Sequence, residues 1–250
     1  MAAVKTRALV LSERPFQDHD RMVTLFTEAE GKVSAIVKGA RNPRSQLASA
    51  TRLFAWSEFV YWPGKNFARI QEASLIDSFY SISDDLDRMM LASYPLELTN
   101  TFYDENQGDA ALLKILVFLL FYMAHEPDTE PELLAAAFQL KLADAVGIRP
   151  DLTLPETGDS FYFSIDEGCF TGSRTPEGYQ YRIDRSTALL MQKLLFTPIS
   201  RLRTEEAPPE QLKSILGIMN HFLSSEAGRR FKTYEMYKES RNLAAAAGKQ

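Results

Sequence analysis

The apolar residues of this 250-residue chain change their period near residue 80, and that change limits the possible folds more than any other feature. Before it, short runs rich in Val, Ile, Phe, Tyr, Trp and Thr alternate with turn residues. Candidate strands cover 4–11, 21–27, 32–38, 53–62 and 67–76; Gly31 and Pro63-Gly64 supply turns, and 39–50 is a longer connection. Five strands in about eighty residues suit a small closed barrel such as the OB-fold, and an open sheet or SH3-like barrel fits nearly as well. Alternation puts Phe54, Trp56, Val60 and Trp62 on one face of the fourth strand and Phe59 and Tyr61 on the other, and one of these faces must fill the core.

After Ser83 the spacing is helical. Ser83 can cap a helix carrying Asp84, Asp85 and Asp87 in its first turn, which Pro95 should bend or interrupt. Further helices are expected over 110–124, from Pro131 to just before Gly147, over 184–196, over 209–225 and near 230–240. Between them, 148–183 reads as an irregular insert with a hairpin around FYFSIDEGCF. The expected organisation is α+β and multidomain: an N-terminal five-stranded barrel over 1–80, an all-helical domain over 81–242 with a degenerate insert, and a disordered low-complexity tail over 243–250.

The net charge of −5 hides an uneven distribution. Residues 1–80 hold eleven Lys/Arg and eight Asp/Glu, whereas 81–250 hold seventeen and twenty-five. Within the first part, the span 32–69 carries Lys32, Lys38, Arg41, Arg44, Arg52, Lys65 and Arg69 against the single acid Glu58. A cationic stretch interleaved with aromatics is the footprint of a polyanion partner, because lysine and arginine neutralise phosphates while rings stack on bases. Those seven cations, with Trp56, are the candidate DNA-binding residues. No secretory signal fits the N-terminus, and the longest apolar run, 115–124, is about half the length a bilayer requires. A cytoplasmic, nucleoid-associated protein without membrane contact is expected.

Catalysis finds no support. There is no Walker-type loop and no nucleophile elbow. Asp18-His19-Asp20 lacks the further ligands that a hydrolytic metal site needs, and Asp20-Arg21 is expected to order the start of the second strand. Cys169 is the only cysteine, so neither an internal disulfide nor a cysteine-built zinc site can form. No cofactor and no metal are expected.

The string HDRMVTLFTEAEGKVSAIVKGARNPRSQL, residues 19–47, resembles the RecO family of bacterial recombination mediators. The matching motifs are Asp20-Arg21, Leu25-Phe26-Thr27, Gly31-Lys32, Lys38-Gly39-Ala40-Arg41 and Ser45; EASLIDSF (72–79) and FQLKLADAVGIRPDL (138–152) are similar to later family segments. The resemblance implies an OB-fold followed by a helical domain, and a role in DNA repair and homologous recombination through the RecF pathway. It also implies binding of single- and double-stranded DNA, strand annealing, and cooperation with RecR, with the C-terminal tail of single-strand DNA-binding protein and, indirectly, with RecA. Two departures stand out. The paired cysteines that hold zinc in many members are replaced by Thr153-Leu154-Pro155-Glu156-Thr157, and the arginine often found before the helix phenylalanine is Ala137. Lys141 and Arg149 are the remaining candidates for the cationic partner site. Two other readings stay open: an OB-fold RNA-binding or translation-linked protein, and a nuclease using residues 18–20.

Overall fold

The computed structural model describes residues 2–156 and 158–247. Strands β1 (Val4–Phe16), β2 (Asp20–Thr27), β3 (Gly31–Val37), β4 (Trp56–Trp62) and β5 (Ala68–Asp77) close a barrel in the order β1-β2-β3-β5-β4. This is the OB-like barrel that the strand pattern predicts. Its interior is built by alternate residues, among them Val23, Leu25, Ala35, Val37, Phe59, Tyr61 and Ile70. The opposite parity therefore faces outward. Strand β1 extends five residues beyond its expected end because the ladder shifts register between Val10 and Ser12. A bulge of this kind reverses the alternation, and β1 continues past it as an outward-facing arm. The connection after β3 contains an unexpected short helix, α1 (Leu47–Ala50).

Two compact units divide the chain, Met1–Pro127 and Asp128–Gln250. The barrel ends at Asp77, but its unit continues through α2 (Leu86–Phe102) and α3 (Ala110–His125). Helix α2 starts from Asp85 rather than Ser83: the Asp85 carboxylate accepts the Arg88 backbone N–H at 2.7 Å, and Tyr80–Asp84 forms a 3-10 turn before it. Pro95 does not interrupt α2, which runs unbroken to Phe102. Its C-terminal end meets the barrel, where the Phe26 and Tyr103 rings lie 5.1 Å apart. The following loop comes so close to the barrel that a side chain at Gly31 (φ 69°) would meet the Gln107 carbonyl at 2.1 Å.

The second unit holds α4 (Pro131–Ala145), α5 (Arg185–Phe196), α6 (Ile199–Leu202), α7 (Pro209–Glu226) and α8 (Lys232–Ala247). The insert is more ordered than the sequence suggests. Strands β6 (Ser160–Ser164), β7 (Cys169–Thr171) and β8 (Gln180–Asp184) form a sheet in the order β7-β6-β8. The expected disordered tail is also corrected, since α8 carries the chain as far as Ala247; residues 248–250 lie outside the described residues. Among the described residues no helix is long and apolar enough to cross a membrane.

Candidate nucleic-acid interface

Barrel register assembles a continuous outward row from all five strands. Arg14 pairs with Met22, Met22 with Ile36, Ile36 with Arg69, and Arg69 with Trp62. The Arg14 guanidinium lies over Met22, with Nη2 donating to Sδ at 2.8 Å. Trp62 is 47% exposed, which leaves ring surface for stacking. A second row, Ser12–Thr24–Ser34, runs beside the first and consists of hydroxyls, with Ser12 Oγ donating to Thr24 Oγ1 at 3.0 Å. Rows two residues apart along a strand are separated by about 7 Å. The surface is thus a band of two cations, the half-buried Ile36 and an indole, with Met22 buried beneath Arg14, edged by hydroxyls of which the last, Ser34, is held by Glu105.

Most of the predicted basic residues border this band. Lys38 is exposed two residues beyond Ile36, and Lys65 is exposed in the β4–β5 turn next to Trp62. Arg44 is exposed on the β3–α1 connection. Arg41 extends the same loop but also fastens it: its Nη1 donates to the carbonyls of Gln17 and Asp18 at 3.3 and 3.0 Å, and its backbone N–H donates to His19 O at 3.0 Å. Asp20 accepts the Gly39 N–H at 2.9 Å. The Asp18–Asp20 segment is therefore a clasp for the cationic loop. Among the described residues no group of three His, Cys, Asp or Glu could hold a metal.

Two family models cover this architecture, Recombination protein O N terminal over residues 1–79 and Recombination protein O C terminal over 83–235. The chain belongs to the RecO family. It is 30% identical over 245 residues to the DNA repair protein RecO of Symbiobacterium thermophilum, covering 94% of this chain and 96% of that protein. The RecO of Acetivibrio thermocellus is 27% identical over 245 residues, covering 95% and 97%. That of Clostridium kluyveri is 37% identical over 147 residues, covering 59% and 57%.

Within this RecO-family framework five expected site residues prove to be engaged or distant. Lys32 is turned onto the end of α2, where Nζ donates to the carbonyls of Asn100 and Tyr103, each at 2.7 Å. Burial lowers its pKa, opposed by the charges of Glu105 and Asp104. Lys32 therefore caps orphan carbonyls of a helix C-terminus instead of meeting phosphate. Lys32→Met should lower stability by about 1–3 kcal/mol and leave the salt dependence of DNA binding unchanged; thermal melts beside a salt titration would check both halves. Trp56 sits six residues from Trp62 along β4, about 20 Å away, so Trp62 is the indole on the row. Arg52 shares its charge with Glu13 at 3.5 Å.

Lys141, expected at a partner surface, is sequestered. Its ammonium donates to Leu195 O and Thr197 O at 2.8 and 2.7 Å, closing the end of α5, and burial lowers its pKa. Arg149 pairs with Asp144 at 3.4 Å. The zinc that many family members carry does not fit this chain's donors: Cys169 meets Glu167 at 3.7 Å, burial raises the thiol's pKa above its ordinary value, and among the described residues no group of three His, Cys, Asp or Glu is assembled around it.

Proposed function

We propose that this RecO-family chain is a non-enzymatic mediator that holds single- and double-stranded DNA along the barrel's outer band and anneals complementary strands. The carrying observation is the Arg14–Met22–Ile36–Arg69–Trp62 row with Lys38, Arg44 and Lys65 at its margins. Phosphates neutralised there lower the repulsion between two strands, while an exposed indole stacks on bases without selecting a sequence.

Protein contacts fall to the helical unit in this reading. A cleft of about 1310 Å³ beside α7 and α8 has an apolar wall that includes Leu212 and Ile218 and a charged lining of both signs, with Lys213 and Arg230 among its cations and Glu130, Glu210 and Glu235 among its acids. In this reading the acidic, apolar C-terminal tail of single-strand DNA-binding protein takes the apolar wall, with its carboxylates toward Lys213 and Arg230 and away from the cleft's own acids, in place of the engaged Lys141 and Arg149. RecR binding and help in loading RecA onto coated strands complete the proposal. Annealing of complementary strands precoated with single-strand DNA-binding protein tests it. The chain should accelerate annealing, and deleting the coat protein's tail should abolish the gain on coated strands only. No acceleration on bare strands would defeat the DNA half, and equal rates with intact and tail-deleted coats would defeat the tail contact.

A further inference from the structure

We propose that the gap between β3 and the β4–β5 turn is a nucleobase pocket that favours bases carrying an exocyclic amine; this rests on the DNA-binding reading above. Strands β3 and β5 pair only at Ala35–Ala68 and Ile36–Arg69. Beside that short ladder lies a cavity of about 190 Å³ whose polar lining is Glu30, Ser34, Tyr61, Asn66, Glu105 and Asn106, with Lys65 as its single cation. At about 30 Å³ per water this is room for roughly six waters, the scale of one flat heterocycle rather than a nucleotide. Val33 and Pro63 give it apolar walls.

The pocket's chemistry is biased toward accepting hydrogen bonds. The Tyr61 hydroxyl donates to Glu30 Oε2 at 2.5 Å and fixes that carboxylate from inside the barrel. Glu105 is fixed from the other side, with Oε2 accepting the Ser34 N–H at 3.0 Å and Oε1 accepting the Ser34 hydroxyl. Each carboxylate oxygen can accept again, and two asparagine amides add a donor and an acceptor each. Cytosine, adenine and guanine offer amine N–H groups to such a lining. Thymine would turn carbonyl oxygens toward carboxylates and has one ring N–H to give.

Placement fits a strand crossing the band. Ser34 ends the hydroxyl row, Trp62 lies between Tyr61 and Pro63, and the Lys65 ammonium at the rim offsets the repulsion between a phosphate and the two carboxylates. One base would stack on Trp62 while its neighbour enters the gap.

The test compares full-length chain binding to a labelled oligothymidylate and to the same oligonucleotide with a central cytosine run, at equal length and salt. The cytosine-containing strand should bind about fivefold more tightly, the worth of about one net hydrogen bond. Glu105→Ala and Asn66→Ala should each remove that preference and leave oligothymidylate affinity unchanged. Asn66 lies in a turn, so its variant keeps the test open should Glu105→Ala, which releases Ser34, impair folding. Equal affinities for the folded wild-type chain, or a preference that survives Asn66→Ala, would overturn the pocket and leave the DNA reading standing. Failure to bind either strand would overturn both.

Discussion

Replacing Lys38, Arg44 and Arg69 together by alanine is expected to weaken single-strand binding about a hundredfold at about 0.1 M salt and to flatten the slope of log affinity against log salt by about two units. Each phosphate contact on a single strand contributes roughly 0.7 to that slope, and the three side chains lie where contacts are available: Arg69 on the outer row, Lys38 just beyond it and Arg44 on the neighbouring loop. Arg41 is left out because its guanidinium holds the Gln17 and Asp18 carbonyls, so its loss would mix loop release with charge removal. All three replaced residues are exposed, and substitutions at such positions change stability by about half a kcal/mol. Fluorescence anisotropy across a salt series, beside a thermal melt, measures both effects. A folded triple variant with the wild-type slope would move the DNA site off this face.

The same residues show what could be read from sequence. Strand alternation correctly put Trp56 and Trp62 on one face and Phe59 and Tyr61 on the other, because the period of two is a property of the backbone. It could not say which face was the core; that depends on which side the other four strands close around. Lys32 on β3 and Lys38 just past its end have the same parity, yet one is spent on α2 and the other is exposed. Only the arrival of α2, from some seventy positions along the chain, separates them, and no local pattern encodes it. Arg14 was missed for a different reason. The register shift after Val10 breaks the alternation, so Ser12–Phe16 reads as the end of a strand when it is the strand's exposed arm. Lys141, the stand-in that the resemblance offers for the arginine missing before Phe138, has its ammonium on two backbone carbonyls, an engagement that no local pattern encodes. The hairpin expected around FYFSIDEGCF is present as β6 and β7, whereas the third strand of that sheet, β8, has no local signal because its five residues follow a stretch of glycine, proline and polar residues.

Arg21→Ala should produce the largest loss of stability, about 3–5 kcal/mol, seen as a drop of about 10 °C in the melting temperature. Arg21 is 5% exposed at the end of the barrel and joins three separate pieces of chain. Its Nε lies 2.9 Å from Glu13 Oε2, and its Nη1 donates to Ala48 O and Thr51 Oγ1, both at 2.9 Å. Burial lowers the guanidinium's pKa while the Glu13 charge opposes the shift, so the pair is held by mutual dependence. Removing the arginine leaves the half-shielded Glu13 carboxylate to the more distant Arg52 alone and takes the guanidinium donor from both the Ala48 carbonyl and Thr51, which is the costly way to break a shielded ion pair. Arg21→Lys should recover less than half of the loss, since one ammonium cannot reproduce a planar fork serving acceptors on two sides. The consequence for DNA separates positioning from contact. Arg21 fixes α1, which ends the loop carrying Lys38, Arg41 and Arg44, so its loss leaves every phosphate-binding charge in place but makes binding order the loop as well. Affinity should therefore fall with the salt slope nearly unchanged, the opposite signature to that of the Lys38, Arg44 and Arg69 variant. If Arg21→Ala melts within about 2 °C of the wild type, or flattens the slope as a lost phosphate contact does, the buried pair is not what holds the loop to the barrel.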